Sequence, residues 1–171
     1  MSQKQTSQTH IENLKNIVGK TDEHLKLDNQ LCFAAYACSR EIIKRYRPFL
    51  DELGLTYTQY ITMLVLWEQS PITAKALGDR LYLDSGTLTP LLKKLEKQGF
   101  VARKRDDVDE RLLVVTLTEE GIALKQTVSE IPFKIACEVG LDVESGVALR
   151  ESLKDLTMNM QSKRPEDDQK N

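Results

Sequence analysis

The sequence predicts a mainly α-helical chain with a small β-wing. This is a winged helix-turn-helix whose N- and C-terminal helices form a dimerisation domain. Three observations carry the prediction. Residues 82–118, YLDSGTLTPLLKKLEKQGFVARKRDDVDERLLVVTLT, change period in mid-stretch. Leu88, Leu91, Leu92 and Leu95 recur at helical spacing, Gly99 is placed to stop that helix, and alternation takes over at 100–104 and 112–116. A short helix at 74–81 precedes this stretch, as the first helix of a helix-turn-helix would. Long segments on both sides carry apolar seams with no partner inside so small a unit.

In chain order, residues 1–26 read as a polar arm. Ile11, Leu14 and Val18 give it one weak helical turn that Gly19 interrupts, and His10 and His24 are solvated. A single winged-helix domain follows at 27–163. Its helix-turn-helix and wing, the candidate DNA-binding unit, span about 56–118, and its expected dimerisation helices span about 28–53 and 119–162. A charged tail occupies 164–171. The first long helix is expected to be capped by Asp28 or Asn29 and to run to about residue 53. Leu31, Ala35, Cys38, Ile42, Tyr46, Phe49 and Leu53 form its seam, Pro48 should kink it, and Gly54 should end it. The next helix, 58–69, carries Tyr60, Ile61, Leu64, Val65 and Trp67 and is apolar on nearly every turn, as a central core helix is. Residues 71–72 form an extended link suited to pairing with the wing.

Thr73 caps helix 74–81, with Ala76, Leu77 and Leu81 inward and Lys75, Asp79 and Arg80 outward. Pro90 leaves two starts open for the helix after it, one near Leu88 and one at Ser85 with a bend. Beyond the wing, Thr118 caps a helix with Ile122, Val128, Ile131 and Ile135 inward, bent at Pro132 and ended by Gly140. The last helix, 143–160, presents Leu149, Leu153, Leu156 and Met160 four, three and four apart. Packing of two chains about a two-fold axis covers such a seam most economically.

Composition narrows the function classes. The chain has 171 residues, 40% hydrophobic and 29% charged, and no apolar run approaches a membrane span. The polar N-terminus lacks the apolar core of a signal peptide, so a cytoplasmic protein with no membrane partner is expected. Three cysteines and two histidines show no CxxC or HxxxH spacing, which argues against a metal site, a cofactor or a structural disulfide framework. The net charge is −2, yet residues 75–111 hold nine Lys or Arg against seven Asp or Glu. That local excess falls on one helix face and the wing. Ser85, Thr87 and Thr89 suit base edges, and Lys93, Lys94, Lys97 and Arg103 suit phosphates. Arg105 and Arg111 stand at the shoulders of the polar turn RDDVDER, with Asp109 beside Arg111. On residue types alone, this surface fits either duplex DNA or plain solvent.

Elsewhere the residues leave open a site for a small ligand or a reactive thiol. With Asp28 as cap, Cys32 stands at the fourth helical position, where the helix dipole favours a thiolate. Set between Leu31 and Phe33, it equally suits a small apolar packing role. Tyr36, four residues on, shares its face. Cys38 cannot pair with Cys32 within one helix, since six residues rise roughly 9 Å and a disulfide needs Cα atoms within about 7 Å.

DSGTLTPLLKKLEKQG at 84–99 and the DER-x5-LT run at 109–118 resemble the multiple-antibiotic-resistance regulator (MarR) family of dimeric winged-helix repressors. QLCFAAYACSRE at 30–41 is similar to the sensing segment of its organic-hydroperoxide branch. The resemblance covers about 27–160. It implies the earlier helix start, at Ser85, and DNA contact through Asp84, Ser85, Thr87, Thr89, Lys93, Lys94, Arg103, Arg105, Asp109 and Arg111. It also implies that Cys32 is the peroxide-reactive thiol, ringed by Tyr36, Tyr46 and Tyr57, some from the opposite subunit, in a pocket suited to alkyl hydroperoxides. Cys137 falls where the two-cysteine branch keeps the residue that closes an intersubunit disulfide. The function implied is a homodimeric, redox-sensing repressor on a pseudo-palindromic double-stranded operator, not an enzyme. The alternatives are a repressor gated by small phenolic compounds and, in another class, a thiol peroxidase.

Overall fold

The computed structural model describes residues 23–162. The short helical turn expected around Ile11 and the tail at 164–171 lie outside the described residues. Two compact units divide the chain between Arg47 and Pro48, within the first long helix.

In the first unit, two 3-10 turns, Glu23–Leu25 and Leu27–Asn29, lead into α1, Leu31–Asp51. Neither Asp28 nor Asn29 caps α1, because both belong to the second turn. The Asn29 amide donates back to the Glu23 carbonyl (2.7 Å), and that of Gln30 to the His24 carbonyl (2.6 Å). The Gln30 carbonyl then accepts from Ala34 N–H (3.1 Å), opening the α1 ladder. Cys32 is therefore the second residue of the helix rather than the fourth.

The second unit holds the winged helix. Gly54, at φ +65°, turns the chain after α1 in a left-handed conformation that glycine adopts without strain. Thr56 then caps α2, Tyr57–Glu68, through a reciprocal capping box with Gln59. The helix starts one residue earlier than its pattern suggested, and its buried face is Tyr60, Met63, Val65 and Leu66. Leu64, expected inward, is exposed, while Thr62 is fully buried with its hydroxyl donating to the Thr58 carbonyl (2.8 Å). The neighbouring apolar residues had masked which stripe was innermost.

Strand β1, Ile72–Thr73, pairs with the wing as expected, with Ile72 opposite Val115. Thr73 caps α3, Ala74–Leu81, whose Leu77 is buried. Ala76 is exposed, contrary to expectation, its small side chain leaving the inner face to Leu77 and Gly78. α4 spans Ser85–Lys97, which settles its start at the earlier position, and Gly99 follows at φ +82°. β2, Val101–Arg105, and β3, Leu113–Leu117, complete a three-stranded antiparallel sheet in the order β1-β3-β2.

Thr118 caps α5, Glu119–Val128, as expected. Gly121 lies so close to the Phe100 carbonyl that any Cβ there would collide with backbone, and its own carbonyl accepts from the Trp67 indole N–H (2.8 Å). Ile122, expected inward, is exposed, and Leu124 is buried instead. The single bent helix predicted beyond this point is two helices. α5 ends at Val128, Ser129 bonds back to the Gln126 carbonyl, and α6 starts afresh over Ile131–Val139. Pro132 sits in the first turn of α6, where a missing N–H breaks no helical bond. Gly140, at φ +72°, follows α6. α7, Val143–Ser162, has no buried residue, and Leu149, Leu153, Leu156 and Met160 are all exposed. Among the described residues no helix is long and apolar enough to cross a membrane.

Candidate nucleic-acid interface and thiol site

The reading face begins with a cap. The Asp84 carboxylate accepts from the Thr87 N–H (2.9 Å) and from the Thr87 hydroxyl (2.9 Å). These bonds, the backbone one first, hold its carboxyl below the usual range, so it is ionised at neutral pH and complements the helix N-terminus. With Leu88, Leu91, Leu92 and Leu95 buried beneath, Ser85, Thr87, Thr89, Lys93 and Lys94 are all exposed on α4. Gly78 permits the tight turn from α3. A Cβ there would stand 2.9 Å from the Leu83 carbonyl and 3.3 Å from Leu88. Nothing in the sequence pattern marked that glycine.

The wing tip is built by its acids. Asp106 accepts from the N–H groups of Val108 and Asp109 (both 2.9 Å), which folds the turn and holds its carboxyl low. Arg105 donates to the Arg111 carbonyl (3.1 Å). Asp109 grips Arg111 as a fork, accepting from Nε at 2.9 Å and Nη2 at 3.0 Å, and also accepts from the Arg111 N–H. The pair lowers Asp109 and raises Arg111, keeping both charged. The Arg111 side chain nevertheless remains 91% exposed. Asp109 thus orients Arg111 without covering it.

Arg103 behaves differently. Both Nε (3.0 Å) and Nη2 donate to Glu96 of α4, and the side chain is only 16% exposed. It ties the recognition helix to the wing. Seven residues separate the two across an element boundary, so no helical or strand spacing signalled the pair.

On α1, Cys32 and Tyr36 stand one turn apart on one face, both exposed, and Cys38 is exposed as well. The Tyr36 hydroxyl accepts from Arg40 (2.9 Å), whose guanidinium lies 5.5 Å from the ring centre. Tyr46 is half-buried on the same helix but lies roughly 21 Å farther along its axis. One copy of α1 therefore cannot bring both phenols to one thiol. Tyr57, the first residue of α2, is half-buried, and its ring lies 6.5 Å from that of Tyr60. Burial pushes its phenol above the ordinary range, so it stays protonated at neutral pH. Cys137 is exposed near the end of α6.

A model of the transcriptional regulator SarA/Rot family matches residues 44–128. An organic hydroperoxide resistance transcriptional regulator of Bacillus subtilis (strain 168) is 50% identical over 129 residues, which is 75% of this chain and 86% of that protein. The chain belongs to the organic hydroperoxide resistance regulators. These regulators are winged-helix members of the MarR family. The regulator is also similar to AbfR of Staphylococcus epidermidis. Reduced AbfR bound to DNA is 38% identical with a TM-score of 0.67, covering 81% of this chain and 96% of that one. Disulfide-formed AbfR is 37% identical with a TM-score of 0.54, covering 82% and 93%. The lower score belongs to the oxidised form.

Proposed function

We propose that this redox-sensing, DNA-binding repressor grips a pseudo-palindromic operator as a homodimer. It lets go when an organic hydroperoxide oxidises Cys32. The observation that carries the reading is an exposed Cys32 in the first turn of α1, in a chain half identical to an organic hydroperoxide resistance regulator. There the thiol is open to an approaching hydroperoxide.

The thiolate attacks one oxygen of the hydroperoxide, and the O–O bond breaks. The other oxygen leaves as alkoxide and is protonated to the alcohol, and Cys32 becomes a sulfenic acid. Cys137 of the partner subunit then attacks that sulfur. The sulfenic oxygen leaves as water, and an intersubunit disulfide remains. The two thiols are oxidised and the hydroperoxide is reduced, so the two-electron balance closes. The separation of Tyr46 from Cys32 along α1 supports a pocket completed by the second subunit, to which Tyr36, Tyr46 and Tyr57 contribute.

On DNA, Ser85, Thr87 and Thr89 approach base edges, Lys93 and Lys94 meet phosphates, and Arg111 enters the minor groove, positioned by Asp109. Arg103 acts through its pairing with Glu96. Closing the disulfide shifts the spacing of the two recognition helices away from one DNA turn, about 34–36 Å.

The test is non-reducing electrophoresis with operator binding after one equivalent of cumene hydroperoxide. Wild type and Cys38→Ser should crosslink and release DNA, Cys32→Ser should stay bound, and Cys137→Ser should stop at the sulfenic acid. A crosslink that survives in Cys137→Ser and vanishes in Cys38→Ser overturns the scheme. Repeated turnover of hydroperoxide with a thiol reductant would move the protein to the peroxidase class.

A further inference from the structure

Two side-chain amides join the turn after α1 to the end of the recognition helix. Thr56 N–H donates to Gln59 Oε1 (2.8 Å), which fixes the orientation of that amide because an N–H can only donate. Gln59 Nε2 therefore faces outward from the first turn of α2 and donates to Gln98 Oε1 (3.0 Å). Gln98 Nε2 in turn donates to the Gly54 carbonyl (2.7 Å), and a carbonyl can only accept. The chain Thr56–Gln59–Gln98–Gly54 has one consistent assignment from end to end. Gln59 is 3% exposed, so its amide has no water to fall back on, whereas Gln98 is exposed and terminates α4. Tyr57 sits between Thr56 and Gln59 in the same capped turn.

We propose that Gln98 is the positioning residue that couples the Tyr57 turn to the recognition helix, so that a pull on that turn is delivered to α4 through the two amides. This rests on the reading of Tyr57 as part of the peroxide pocket. A shift of the first turn of α2 carries Gln59 with it, since the capping box locks its side chain to the backbone. Gln98 must follow or lose its bond to Gln59. The cap residue of α4 thus senses the turn through Gln59.

The test uses the full-length chain and an operator duplex, with anisotropy measured before and after cumene hydroperoxide. Gln98→Met keeps the volume and removes both hydrogen bonds, while Gln98→Glu keeps only the acceptor toward Gln59. Sulfenic acid trapping at Cys32 is followed in parallel. Wild type should be released. Gln98→Met should bind in the reduced state within about threefold of wild type and trap at the same rate, yet show a ratio of reduced to oxidised affinity about tenfold smaller. Gln98→Glu should fall between them. Equal release of wild type and Gln98→Met overturns the coupling alone, as does a reduced-state loss that equals the change in the ratio. A wild type that stays on DNA while Cys32 is trapped overturns the coupling together with the redox reading.

Discussion

The recognition unit and the last helix both carry an apolar stripe at helical spacing, and the two stripes meet different fates. In α4, Leu88, Leu91, Leu92 and Leu95 are all buried within the winged helix. In α7, Leu149, Leu153, Leu156 and Met160 also recur at helical spacing, and none is buried, with Leu153 48% exposed. Periodicity says which side of a helix is apolar, not which molecule covers it. The winged helix closes its core from its own elements. α7 leaves its stripe exposed, and the proposed homodimer would cover it with a second copy.

The sharpest way to break that contrast is to delete from each stripe. Leu92→Ala should destabilise the fold by about 2–5 kcal/mol through lost burial and a residual cavity, read by denaturant unfolding at several protein concentrations. The loss should not depend on concentration. Leu153→Asp should leave the winged helix folded but shift the monomer–dimer equilibrium by about 100-fold or more, roughly 3 kcal/mol, by placing an unpaired charge in the stripe. Sedimentation of the variant as an unchanged dimer at micromolar concentration would mean that α7 does not face its partner.

Smaller effects separate the two arginines of the wing. Arg111→Ala should weaken operator binding by about 1–3 kcal/mol with the dimer intact, since its side chain is exposed and oriented but not structural. Glu96→Gln removes the charge that binds Arg103 while keeping an acceptor. It should cost about 1 kcal/mol in operator affinity and loosen the wing, seen as faster hydrogen exchange in β2. Equal losses in both variants would mean that Arg103 touches phosphate after all.

The smallest effect is a pH dependence. Asp84 has a folded value below its unfolded one, so its stabilisation is complete above the ordinary carboxylate range and disappears as pH falls through the lower folded value. Asp84→Asn still caps but does not titrate. Its melting temperature should decline less than that of wild type between about pH 6 and about pH 3.

The contrast also explains what the sequence could and could not say. The recognition helix and wing were legible because the period switches inside one stretch, with Gly99 marking the junction. The start of α1 was misread because Asp28 and Asn29 have cap chemistry, but that turn had already closed upstream, with Asn29 bonded to Glu23. Pro132 signalled a disruption truly but not its kind. A bend and a fresh first turn look alike until Ser129 is seen bonding backward. Arg103 was legible as a cation and illegible as a tie, because its acid lies across an element boundary. Gln59 and Gln98 gave no sign at all, being 39 residues apart and ordinary in composition.

Gly121 has a genetic consequence. Every missense codon change at a glycine adds a Cβ, and here that atom meets the Phe100 carbonyl just before the wing begins. The backbone must give way, and the Trp67 indole that rests on the Gly121 carbonyl must move with it. A screen for loss of repression should therefore return alleles at codon 121 as readily as alleles among the DNA-facing residues. Such alleles would encode protein whose thiols still react with peroxide and whose recognition residues are all unchanged.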